Sequence, residues 1–142
     1  MDGENRFNSV LGSSIRKLGS DYYVMKTSDR FASGVSDFII FYQGRAVCLE
    51  SKFIKNMPKK TGLVLNHAFS PTQIGFRNKI GAAGVPWYGI VGIDETRTIV
   101  VIEGNLIPPT GNWKKPDFMA TMEKSATFRF NEVQAMVEHI FG

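Results

Sequence analysis

Gly34-Val35-Ser36-Asp37-Phe38-Ile39-Ile40-Phe41-Tyr42, then Gln43-Gly44, then Arg45-Ala46-Val47-Cys48-Leu49-Glu50-Ser51-Lys52-Phe53 is the stretch whose reading decides the fold. Both arms are rich in β-branched and aromatic residues, and Gln43-Gly44 suits a two-residue turn, so the segment reads as a β-hairpin. With Tyr42 and Arg45 flanking that turn, counting back along both arms sets Asp37 opposite Glu50. Directly opposed residues of an antiparallel pair share a face, with Cβ atoms about 4.5–5.5 Å apart. Side chains alternate along a strand, so Lys52 joins Glu50 on that face. Two carboxylates this close repel unless a cation sits between them. A hard divalent ion held by oxygen ligands is the simplest such cation, and the neighbouring ammonium could then act on an anionic substrate.

The composition bounds what surrounds this hairpin. A chain of 142 residues suits one domain with a sizeable core, and 43% hydrophobic with 21% charged residues is the balance of a globular protein. The longest apolar run, Phe38 to Tyr42, is far too short to span a bilayer, so no membrane partner is expected. Met1 to Arg6 is polar and has no signal-peptide core. Cys48 is the single cysteine and sits mid-strand among apolar residues, with no zinc-type Cys/His spacing nearby. It reads as a core residue, and a reducing cytoplasm, a cell's own or a viral host's, is the expected location.

The net charge of +4 understates an asymmetry. From Ser51 to Ile93 there is no Asp or Glu, while Lys52, Lys55, Lys59, Lys60, Arg77 and Lys79 all fall there. The cationic surplus thus begins where the carboxylate hairpin ends. Positive charge beside a metal site favours a polyanion, and nucleic acid is the usual one. A solvated basic loop without a partner would show the same charges.

Outward from the hairpin, Phe7, Val10, Leu11, Ile15 and Leu18 form the apolar stripe of a first helix from about Glu4 to Leu18, closed by Gly19. Tyr22 to Thr27 is a strand, and Ser28 to Ser33, with Asp29 and Arg30, is a polar loop leading into the hairpin. Lys55 to Phe69 has no clear period and reads as an excursion without regular structure. Ser70-Pro71 opens a second helix, with Ser as N-cap and Pro in the first turn, and Gly84 ends it. Strands are expected at Trp87–Ile93 and Arg97–Ile102, separated by the turn Asp94-Glu95-Thr96. Beyond Gly104 the pattern loosens. Pro108 to Asn112 and Lys114-Lys115-Pro116 read as loops, Thr127 to Phe130 as an edge strand, and Asn131 as the cap of a last helix buried through Val133, Met136, Val137 and Ile140. A small α/β domain with a mixed sheet follows.

Ser36-Asp37, followed on the next strand by Glu50-Ser51-Lys52, resembles the signature of the PD-(D/E)xK nuclease superfamily, with serine where the motif name has proline. Ser28 to Asp37, with Gly34 ahead of the acid, looks like the approach in Holliday-junction resolvases of phages and bacteria and in VRR-type nucleases. Ser70-Pro71-Thr72-Gln73, its helix and the strand at Trp87 to Val91 resemble the segment that follows in those modules. The likeness runs over roughly residues 4 to 93. It implies a restriction-endonuclease-like fold with an αβββαβ core at about 4–103, a variable C-terminal extension at 104–142, and a single nuclease domain over 1–142. It implies phosphodiester hydrolysis with Mg²⁺, Mn²⁺ being the expected substitute. Asp37 and Glu50 would be metal ligands together with the Ser51 backbone carbonyl, and Lys52 would orient the attacking water and stabilise charge on the phosphate. Gln73 would support the site. The family commonly adds an acid from the first helix, where Glu4 is one candidate ligand and Asn8 occupies the usual position by alignment.

The expected substrate is branched DNA, with Lys55, Lys59, Lys60 and Arg30 on backbone phosphates, and a homodimer would serve to cut two opposed strands. Met119 and Met122 are candidates for its interface. A repair or restriction-type nuclease on duplex DNA, and a DNA-binding module without catalysis, stay open as rivals. A plain salt-bridge cluster would explain the trio without a metal, but opposed like charges are disfavoured on an ordinary sheet. His67, in the basic loop, reads as solvated, and Trp87, Tyr88 and Trp113 as packing residues.

Overall fold

A computed structural model describes residues 3–26, 37–59, 63–65, 69–110 and 112–142. In chain order the elements are α1 (Gly3–Arg16), β1 (Tyr22–Lys26), β2 (Phe38–Tyr42), β3 (Arg45–Ile54), β4 (Leu63–Leu65), α2 (Pro71–Ala82), β5 (Trp87–Ile93) and β6 (Thr98–Glu103). A 3₁₀ turn (Gly104–Leu106), β7 (Trp113–Lys114), α3 (Lys115–Glu123), β8 (Ala126–Arg129) and α4 (Val133–Phe141) complete the chain. Six strands make one sheet in the order β1-β2-β3-β5-β6-β8, in which only β3 and β5 run parallel among the described pairs.

The hairpin has the expected register, with Tyr42 opposite Arg45 and Phe38 opposite Leu49. Its turn carries Gln43 at φ 49° and Gly44 at φ 75°. Two successive positive φ values match the right-handed twist of the flanking strands, which is why a glycine is placed here. The long arm β3 then pairs on its other edge with β5, through the α2 crossover, and residues of both its faces are buried. Its alternation shows this directly. Val47 and Leu49 belong to a core under α1 and α4, while Cys48 and Ile54 belong to a second core with Ile74 of α2 and Phe118 of α3. Cys48 is buried, as expected of a core thiol.

Several sequence expectations are corrected. The first helix ends at Arg16, with Leu18 only partly buried and Gly19 at φ 119°. Val10 is 42% exposed, because the buried line is Phe7-Leu11-Ile15 and Val10 lies about 100° around the helix from Leu11. The excursion after β3 holds a strand, since β4 pairs with β7. Lys115-Pro116 opens α3 instead of a loop: proline is tolerated in a first turn, Asp117 complements the helix dipole there, and Phe118 is buried. The last helix has Glu132 in place of Asn131 at its cap, without a side-chain bond to the helix, because the Glu132 carboxylate accepts from Arg129 N at 2.8 Å. Trp87 and Trp113 are packing residues, meeting Phe69 edge to face at 5.5 and 5.9 Å. Thr27, the Ser28–Ser33 loop with Arg30, the residues 34–36 assigned to the first hairpin arm, Lys60 and His67 lie outside the described residues. Among the described residues no helix is long and apolar enough to cross a membrane.

Candidate active site

The β2–β3 ladder stops at Phe38–Leu49, one pair short of the two acids. Beyond it, carboxylates take over the pairing from the backbone. Asp37 N donates to Glu50 Oε2 at 3.1 Å, and Ser51 N donates to Asp37 Oδ2 at 2.9 Å. Each acid therefore binds the main chain across the hairpin, in place of a further ladder pair. Bonds of this charge-assisted kind contribute about 1.5–3 kcal/mol each. They offset part of the repulsion that the sequence predicts for opposed carboxylates.

Glu50 is only 2% exposed, so its charge needs partners. Lys52 Nζ lies 3.8 Å from Glu50 Oε1, and Gln73 Nε2 donates to the same oxygen. The start of α2 dictates how Gln73 is held. Ser70 Oγ accepts from Gln73 N at 3.2 Å, and Gln73 Oε1 accepts from Ser70 N at 2.9 Å, a reciprocal capping box. With its oxygen committed to the cap, the amide has its NH₂ facing Glu50.

Lys52 is steadied from the other side, its Nζ 5.5 Å from the Phe69 ring centre. The sequence reading does not single out Phe69. It stands just before the Ser70 cap and Ile74 stands four places beyond that cap, the hydrophobic-staple spacing, and both are buried in one core. Gly89 pairs with Glu50 across the β3–β5 ladder. A Cβ there would lie 3.0 Å from Phe69 Cζ and 3.1 Å from Ile107 Cδ1, so the glycine leaves room for the ring beneath Lys52.

On the opposite face of β3, Ser51 is buried below α1. Its Oγ lies 2.9 Å from Asp37 Oδ2 and in hydrogen-bond contact with the side-chain amide of Asn8. The helix is seated there by Phe7, whose ring packs 5.8 Å from that of Phe53 and over Gly92. Of the two helix candidates, Asn8 reaches the site, while the side chain of Glu4 lies outside the described residues.

The lysines follow separately. Lys55 and Lys59 are exposed beyond the end of β3, and about 16 Å of strand separates Lys55 from Glu50. Acids from elsewhere in the chain also meet this segment. Glu95 N donates to Lys55 O at 3.1 Å, and Glu95 Oε2 accepts from Met57 N at 2.9 Å. A surface cleft lined by Arg77, Trp87, Tyr88, Glu103 and Gly104 includes none of Asp37, Glu50, Lys52 and Gln73. Its guanidinium is committed to the fold, with Arg77 Nη1 donating to Gly104 O at 3.0 Å and Ile107 O at 2.7 Å, and burial pushes the Arg77 pKa down.

Among the described residues no three His, Cys, Asp or Glu side chains converge on one point. A carboxylate pair is nonetheless a fitting donor set for Mg²⁺, which takes hard oxygen ligands and keeps several waters. Asp37 Oδ1 makes no hydrogen bond among the described residues, so one oxygen of the pair is open to an ion.

A mixed sheet between helices, with β3 parallel to β5 across α2, is the restriction-endonuclease-like fold. Among solved structures the chain is similar to Hjc, a Holliday junction resolvase from the archaeal hyperthermophile Archaeoglobus fulgidus, with a TM-score of 0.56 and 12% identity over 92% of this chain and 98% of that one. That resolvase belongs to the PD-(D/E)xK superfamily. At this identity the likeness is one of fold. No protein-family model matches the chain, and no curated protein matches it in sequence.

Proposed function

We propose that the protein is a divalent-metal-dependent endonuclease that hydrolyses phosphodiester bonds in branched DNA, in the manner of a Holliday-junction resolvase. Its main support is the meeting of Asp37, Glu50, Lys52 and Gln73 where the β2–β3 ladder ends, within a fold like that of a resolvase. Asp37 and Glu50 would hold Mg²⁺, or Mn²⁺ in its place. The Ser51 carbonyl is suited to join them: Ser51 N faces Asp37, and the C=O of a strand residue projects to the same side as its N–H. The ion supplies Lewis acidity and lowers the pKa of a bound water. Lys52 stands beside this pair to orient the water and to meet charge on the phosphate. Gln73 holds the Glu50 carboxylate in place. Lys55 and Lys59, with Lys60 and Arg30, would contact DNA phosphates away from the cut. A homodimer would bring two such sites to opposed strands, with the whole chain acting as one nuclease domain in the cytoplasm.

The test is incubation with synthetic four-way junction, fork, duplex and single-stranded DNA in Mg²⁺, with Asp37→Asn as the blank. Preferred cutting of the junction is expected. Preferred cutting of plain duplex would shift the assignment to a repair or restriction-type nuclease. Tight binding with no cutting in Mg²⁺ or Mn²⁺ would leave a DNA-binding module.

A further inference from the structure

We infer that Asn8 and the Ser51 hydroxyl form a positioning relay, which fixes one oxygen of Asp37 and turns the other toward the metal. The inference rests on the metal-site assignment proposed above and deepens it. Ser51 and Glu50 are the only buried polar or charged side chains among the described residues. A serine hydroxyl 2% exposed, on the face of β3 that otherwise presents Leu49 and Phe53 to α1, is costly unless its hydrogen bonds are made. It makes two. Ser51 Oγ is 2.9 Å from Asp37 Oδ2 and in contact with the Asn8 amide.

Counting protons fixes the direction. A hydroxyl has one hydrogen to give, and Ser51 Oγ lies against two possible acceptors, Asp37 Oδ2 and the side-chain amide of Asn8. A carboxylate can only accept, so the serine proton belongs to Asp37. The Asn8 amide must then be turned to present its NH₂ to Ser51 Oγ, the exchange of nitrogen and oxygen that side-chain amides permit. The bonds run one way, from Asn8 Nδ2 to Ser51 Oγ and from Ser51 Oγ to Asp37 Oδ2. Ser51 N adds a second donor to the same carboxylate oxygen at 2.9 Å. Asp37 is thus gripped by Oδ2 alone, and Oδ1 carries no hydrogen bond among the described residues. The amide also explains why position 8 suits a neutral residue here. A carboxylate in its place would have no proton for Ser51.

Asn8 and Ser51 act through Asp37, so the readout is cation affinity without DNA. Mn²⁺ binding to the full chain is measured by titration calorimetry or paramagnetic resonance for the native protein, Ser51→Ala, Ser51→Thr, Asn8→Leu, the Ser51→Ala/Asn8→Leu double variant and Asp37→Asn, with thermal melting as the check on folding. Loss of a group that orients a metal ligand typically weakens binding by about 10–100-fold. Ser51→Ala and Asn8→Leu are expected to fall in that range, Ser51→Thr to recover most of the loss, and the double variant to be no worse than Ser51→Ala because both changes break one chain. Native affinity in folded Ser51→Ala and Asn8→Leu, with binding lost in Asp37→Asn, would overturn the relay and leave the metal site standing. No Mn²⁺ binding by the native protein, or unchanged binding in Asp37→Asn, would remove the metal site and the relay with it. Should Ser51→Ala fail to fold, Asn8→Leu, at a partly exposed helix position, decides alone.

Discussion

Gln73 turns its side-chain oxygen to the Ser70 amide and its NH₂ to Glu50, so one planar group both starts α2 and steadies a buried acid. The two roles separate in Gln73→Glu. Glutamate also completes a capping box, so the helix start should survive, while the lost donor and the second carboxylate against buried Glu50 should cost about 1–3 kcal/mol without metal. Its carboxylate would face Glu50 in place of a donor, and we expect DNA cleavage to fall by roughly a hundredfold. Thermal melting and cleavage rates on the same preparation check both halves, and unchanged cleavage would mean that Gln73 only caps its helix. Lys52→Ala should likewise lower cleavage about a hundredfold with junction binding in EDTA unchanged, as read by gel shift. At this scale the sequence was most legible where geometry is local. Asp37 and Glu50 are brought together by counting from Gln43-Gly44, and Lys52 by alternation along one strand. Phe69 and the Ser51 hydroxyl act through partners far along the chain, which residue patterns do not reveal.

Two glycines of β5 control how the neighbouring layers sit on the site. At Gly92 a Cβ would fall 2.6 Å from Phe7 Cε1 and 2.7 Å from Cζ, a contact that the ring must move to avoid. Gly92→Ala should cost about 1–3 kcal/mol as overpacking. Because Asn8 follows Phe7 on α1, the displaced helix should also weaken Mn²⁺ binding. A chemical denaturation midpoint equal to that of the native protein would show that α1 is not seated as described. Gly89→Ala acts on the other face, pressing on Phe69 beneath Lys52, and should slow cleavage several-fold with a smaller loss of stability, about 1 kcal/mol. The elements with strong local signals were legible: the Gln43-Gly44 turn, the Ser70-Pro71 helix start and the apolar strand Trp87–Ile93. The β4–β7 pair was not, because two short strands far apart in sequence are recognisable only once they meet. Nor was α3, where Pro116 reads as a breaker and Phe118 is the one buried side chain.

Over the whole molecule, charge and fold together decide what the surface can hold. The cations from Lys52 to Lys79 are uninterrupted by acids in sequence, but Glu95 reaches the Met57 amide in space, so the field around that segment is weaker than the linear count suggests. Each phosphate contact removed should lower the slope of log affinity against log salt by about 0.9 on duplex DNA. Neutralising Lys55 and Lys59 together should therefore flatten the slope by up to about 1.8, and an unchanged slope would take this segment off the DNA surface. Residues beyond Gly104 lie outside the family resemblance, but their local signals carry: the edge strand read at Thr127 to Phe130 is β8, which extends the main sheet, and the helix read through Val133, Met136, Val137 and Ile140 is α4, which shares a core with α1. The most direct test of the central claim is strand scission of a synthetic four-way junction by the native protein and Glu50→Gln, side by side, in Mg²⁺ and in EDTA. Cutting by the native protein in Mg²⁺ alone, with Glu50→Gln at least about a hundredfold slower but binding the junction equally well, is the predicted result. Cutting that persists in EDTA, or in Glu50→Gln at the native rate, would contradict it.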